Sequence, residues 1–143
     1  MPTLKGKNAK RQYNVQEMVA TIKRFPANEL IVILEMSQSM PKQGVSSTFS
    51  IGKGFGIWQG ILSALGIRFA IVHPKTWQKE VLKDIDRTDT KQASAIVAQR
   101  IFPGVVFKAT ERCKVIHSGL TDAVCMAEYG LRLYGQKIEQ WER

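Results

Sequence analysis

Two carboxylates sit where catalytic or metal-binding acids are often found. In "ELIVILEMSQSMPKQGVSS", residues 29–47, the apolar run Leu30 to Leu34 leads straight into Glu35, and the chain then enters a loop rich in Ser, Gly and Pro. A carboxylate leaving a buried strand is costly unless it is solvated, paired or bound to a cation. The second acid is Asp122 in "HSGLTDAVCMAEYG", where Ser118 is placed to start a helix. Acids near a helix start complement its dipole, so Asp122 has a structural reading beside its functional one. If that helix docks across the strand ends, it delivers a second carboxylate toward Glu35. Such oxygens suit Mg²⁺, which takes few protein ligands and keeps waters and phosphate oxygens.

Other reactive residues are less telling. Cys113 and Cys125 carry no CxxC pairing, so a zinc site with His117 is weakly supported and buried thiols are expected. "GKGFG", residues 52–56, fits neither the dinucleotide fingerprint nor the P-loop, which disfavours nucleotide binding. Its glycines would allow a phosphate to approach backbone N–H groups at a helix start, with Lys53, Phe55 and Trp58 nearby, or would let the helix pack tightly. Ser46 and Ser47 offer hydroxyls to the same phosphate.

The elements that must carry these residues can be read from hydrophobic spacing. Residues 1–13 are expected to be an irregular basic segment. Asn14 caps a helix with Val15, Met18, Val19 and Ile22 on one face, closing before Pro26. Leu30 to Leu34 has the length and continuity of a strand covered on both faces. A helix is expected from about Phe55 to Leu65, ended by Gly66, and a second strand from Ile67 to Val72. Strand, helix, strand with short links makes a βαβ unit with parallel strands. Pro74 to Leu82 reads as a short helix, Ala93 to Ile101 as another, and a last one starts near Ser118.

Composition bounds the whole. The chain of 143 residues has the length of one domain, and its 44% hydrophobic and 23% charged residues describe an ordinary globular protein. No apolar run is long enough to span a membrane, and the basic, polar start has no signal-peptide core, so a reducing, cytosol-like compartment is expected. Lys and Arg outnumber Asp and Glu by 21 to 12. Lys5, Lys7, Lys10, Arg11, Lys23 and Arg24 face only Glu17 within the first 24 residues. That balance favours a polyanionic partner.

Four separated stretches share one order and spacing with a known family: "ILEMSQSMPKQGVSSTFSIGKGFGIWQGILSALGI", "VHPKTWQKEV", Asp89 to Ser94 before "RIFPG", and "HSGLTDAVCMAEYGLR". Over residues 29–134 the chain resembles the RuvC-like Holliday junction resolvases, in their phage, bacterial and organellar branch, within the RNase H-like superfamily. The resemblance implies an RNase H-like α/β fold, with parallel strands flanked by helices, and Mg²⁺ or Mn²⁺ at an acidic cluster. It further implies hydrolysis of phosphodiester bonds in branched DNA by a homodimer. A bacterial or phage-infected cytoplasm, or an organelle, would be the place. On the matching positions, Glu35 and Asp122 would be catalytic metal ligands and His117 would orient water or phosphate. Lys75 and Trp77, in the "P-[RK]-T-W" segment, would face DNA, as would Lys42, Ser46, Ser47, Lys53 and Phe55; the alternative for Trp77 is to anchor the short helix.

Two positions depart from the family. Its first strand carries an aspartate in a D-x-G context, whereas the first acid here is Glu17, and "MPTLKGKNAKRQYNVQEM" resembles the segment after that strand. Ser118 also stands where many relatives have a further acid. The resemblance therefore implies an RNase H-like fold lacking its first strand or strands. The gap would be filled by a partner chain, by strand exchange or by residues 1–13. Three functions stand as alternatives: a metal-dependent junction endonuclease, a catalytically impaired DNA-binding relative or fragment of one, and a basic structural component.

Overall fold

The computed structural model describes residues 3–5, 11–39 and 41–141. Its elements run β1 (Thr3–Lys5), β2 (Arg11–Tyr13), α1 (Val15–Ile22), β3 (Ile31–Glu35), α2 (Val45–Ala64), β4 (Arg68–Val72), α3 (Pro74–Val81), α4 (Thr90–Ile101) and α5 (Ser118–Trp141). The protein is α/β, and β3 pairs with β4 in a small parallel sheet. The described chain divides into two compact units. One comprises residues 3–32 and 36–70; the other comprises residues 33–35 and 71–141.

In the first unit, β1 and β2 form an antiparallel pair with Thr3 opposite Tyr13 and Lys5 opposite Arg11. The sequence leads one to expect an irregular segment here; Lys7 and Lys10 of that segment lie outside the described residues. The signal is weak because each strand has only three residues and no apolar alternation. Asn14 caps α1, its Oδ1 accepting from the Glu17 amide at 3.1 Å while its Nδ2 donates to Glu17 Oε2 at 3.0 Å. Met18, on the inner face of α1, is fully buried.

α2 begins ten residues earlier than the glycines suggest. Val45 opens it, so Ser46, Ser47 and the whole of "GKGFG" are helical. Its C-terminus follows the sequence closely. Gly66 adopts φ +65°, the Ile67 amide donates to the Leu62 carbonyl at 2.9 Å, and the Gly66 amide donates to Ser63 at 3.1 Å. These two bonds satisfy carbonyls that a helix end leaves open, and glycine takes the left-handed position without a Cβ penalty.

The second unit is built on α5. α3 and α4 both pack against it. Its core holds Trp77, Leu82, Ala98 and Cys125, all fully buried. Asp89 starts α4 by accepting at Oδ1 from the amides of Lys91, at 2.9 Å, and Gln92, at 3.2 Å. The aspartate of the Asp89 to Ser94 motif thus works as a helix cap. His73 does the same for α3, accepting at Nδ1 from the Lys75 amide, with Pro74 in the first helical position. Gly130 of α5 lies where a Cβ would come within 2.6 Å of Ile33 Cγ1, so this helix rests directly on β3.

β3 is less covered than its apolar run suggests: Ile31 to Leu34 are half-buried and Glu35 is exposed. With two strands in the sheet among the described residues, the apolar run has fewer neighbours than a central strand would have.

Candidate functional site

Glu35 ends β3, and the side chain that fixes it comes from α3. Trp77 is fully buried, and its only polar atom, Nε1, donates to Glu35 Oε1 at 2.8 Å. A buried indole N–H needs an acceptor, and the carboxylate supplies a charged one, which makes the bond stronger than a neutral pair. Of the two readings of Trp77, burial corrects the DNA contact and favours the anchor of the short helix. The indole lies inside, where it anchors α3 and orients Glu35. Oε2 of Glu35 makes no hydrogen bond among the described residues and stands at an exposed strand end.

Asp122 lies in the second turn of α5 and is half-buried, and its carboxylate makes no hydrogen bond among the described residues. Its charge is felt one turn further on. Burial pushes the Cys125 thiol up to about 11, and the neighbouring carboxylates of Asp122 and Glu128 add to that rise. Cys125 is therefore a packed thiol, its Sγ 3.6 Å from the Ser94 carbonyl. The Ser94 hydroxyl beside it is buried without a partner among the described residues.

His117 is exposed just before α5. Its amide donates to the Phe107 carbonyl at 2.8 Å, which ties the end of the α4–α5 connection to its middle. A Cβ at Gly119 would come within 3.0 Å of His117 Cε1, so the ring lies over the first turn of α5.

Glu35, Asp122 and His117 thus belong to one compact unit. Among the described residues no group of three or more His, Cys, Asp or Glu side chains is placed to hold a metal ion. The zinc set Cys113, His117 and Cys125 is accordingly not assembled. Cys113 instead pairs with Thr110 Oγ1 at 3.2 Å, and that bond lowers its pKa. The donors that remain are carboxylates on two elements. They are Glu35, exposed at the end of β3, and Asp122, half-buried in α5.

Five of the other expected DNA contacts lie on the first unit. Lys42, Ser46, Ser47 and Lys53 are exposed and Phe55 is half-buried. The idea of a glycine cradle is corrected: within α2 the amides of residues 52–56 are committed to the helix and cannot receive a phosphate. Tight packing explains only Gly54, where a Cβ would meet the Tyr13 ring. Gly52, Gly56 and Gly60 face open space, and nothing in the structure explains them. Lys42 holds φ +65°, the left-handed region that a long side chain rarely adopts. Lys75 is exposed on the second unit.

The Glu35–Trp77 pair is the feature that sequence reading missed. The available signal was chemical: a buried Trp requires an acceptor, and Glu35 is the carboxylate at the end of the adjacent strand. No protein-family model matches the chain, and no curated protein matches it either.

Proposed function

We propose that this chain is a metal-dependent, structure-selective endonuclease of the Holliday junction resolvase type, acting on branched DNA as a homodimer. The observation that carries the reading is Glu35: an exposed carboxylate at a strand's C-terminal end, with one oxygen held by a buried indole and the other uncommitted. Loop-facing strand ends are where open α/β sheets place their sites. A formal charge of +9 supports a polyanionic substrate.

Glu35 and Asp122 would hold Mg²⁺ or Mn²⁺, which when bound supplies Lewis-acid stabilisation of the phosphate and acidifies water. The chain's own residues do the rest. Trp77 is a positioning residue that fixes the Glu35 rotamer. His117, exposed just before α5, would orient water or phosphate. Lys42, Lys53 and Lys75 neutralise backbone phosphates. A second reading, DNA binding without cutting, is favoured by one observation: among the described residues no group of three or more ligating side chains is assembled.

The test is competition binding in Ca²⁺, with a labelled four-way DNA junction against linear duplexes of the same sequences. Preference for the junction is the expected result. Equal affinity for the duplexes would remove structure selectivity, and no binding to either would remove the nucleic-acid reading.

A further inference from the structure

A groove of about 580 Å³ in the second unit is lined by Lys91, Gln92 and Ala95 of α4, by Lys114, Val115 and Ile116 of the α4–α5 connection, and by Ser118 of α5. No carboxylate lines it. Lys91 and Lys114 are exposed, come from separate elements and form no ion pair among the described residues. Asp89, two residues before Lys91, caps α4 through Oδ1 and forms no ion pair with either lysine among the described residues.

Between these cations the wall is apolar. Val115 is 79% exposed and Ile116 42%, so two β-branched side chains are held in the open beside charge. The bond from the His117 amide to Phe107 fixes this wall. Cations that bind phosphate, amide and hydroxyl donors, and an apolar surface for a sugar or base match one strand of nucleic acid. Ser118 and Asp122 are i and i+4 on α5, hence neighbours on one face, about 6 Å apart along the axis. A strand lying in the groove would pass the acid.

We infer that this groove holds the backbone of a single DNA strand, with Lys91 and Lys114 on successive phosphates, and leads that strand toward Asp122. The inference rests on the DNA-processing reading above and deepens it.

The experiment measures affinity for a labelled single-stranded oligonucleotide, in Ca²⁺, between 50 and 200 mM salt. It compares the wild type, Lys91→Ala/Lys114→Ala, the charge-preserving Lys91→Arg/Lys114→Arg, and a control pair elsewhere, Lys83→Ala/Arg87→Ala. Losing two phosphate contacts should reduce the slope of log affinity against log salt by about 1.4. The affinity deficit at 50 mM is then about sevenfold larger than at 200 mM. The Arg pair should restore the wild-type slope, and the control pair should leave it unchanged. A wild type that binds while the Ala pair keeps its slope overturns the groove alone; an Arg pair that fails to rescue, or a control pair with an equal effect, overturns it too. A wild type that binds no DNA overturns the underlying reading with it.

Discussion

At the scale of residues, the bond between Trp77 and Glu35 answers why an acid ends an apolar strand. The carboxylate satisfies a buried donor with one oxygen, and the other makes no hydrogen bond among the described residues. Replacing Trp77 by Phe keeps an aromatic ring but removes the donor and some volume. The loss should destabilise the fold by about 1.5–3 kcal/mol, typical of a hydrogen bond to a charged group, as read from the urea midpoint at constant m-value. Cys125 gives a pH-dependent test. Its folded pKa of about 11 lies above the unfolded value of 9.0. Between those values the unfolded chain has lost the proton and the folded chain retains it, so stability from this group is full below pH 9 and declines toward pH 11. Cys125→Ala should flatten that part of the stability profile relative to wild type, and an equal decline in both proteins would show that other groups cause it. Which acids end up near which donors was only partly legible. Glu35 and Asp122 could be chosen by type and position, but hydrogen-bond partners depend on long-range packing that local sequence does not encode.

Among the elements, the long helix α2 shows where sequence signals misled. Glycines argue against helix by intrinsic preference, yet "GKGFG" is helical because the surrounding turns continue on both sides. The structure sorts these glycines by consequence. Gly54→Ala would push a methyl against Tyr13, whose hydroxyl donates to the Ser50 carbonyl at 2.9 Å, and should destabilise. Gly52→Ala, Gly56→Ala and Gly60→Ala meet open space, and each should stabilise by about 0.5–1 kcal/mol through the backbone entropy of the unfolded chain. Thermal denaturation of the four variants checks the contrast. Elements with strong local signals were legible: α1 from its Asn14 cap, α3 from His73-Pro74, the end of α2 from Gly66, and β3 and β4 from continuous apolar runs. β1 and β2 were not, because their pairing rests on a register between short polar segments. The coverage of β3 was overestimated for a related reason, since an apolar run reports its own preference and not how many strands lie beside it.

For the molecule as a whole, the surplus of positive charge is the most general functional signal and the least specific. It was legible directly from composition, whereas the α/β class was legible from the strand, helix, strand order of the apolar runs; neither names a partner. Lys42 joins this scale to the smallest one, because its left-handed backbone costs stability that a glycine would not cost. Lys42→Gly should leave the fold as stable or slightly more so, while weakening binding to branched DNA and lowering its salt dependence by about one phosphate contact. Weaker stability with unchanged binding would mean that this turn serves the fold only.

The most direct test of the central claim is cleavage of a labelled four-way DNA junction in Mg²⁺ or Mn²⁺ by the wild type and by Glu35→Gln, which keeps an acceptor for Trp77 while removing the charge. The account predicts cutting by the wild type, loss of cutting in Glu35→Gln, and retained junction binding by both in Ca²⁺. Cutting that survives in Glu35→Gln, or a wild type that binds the junction and never cuts it, would contradict it.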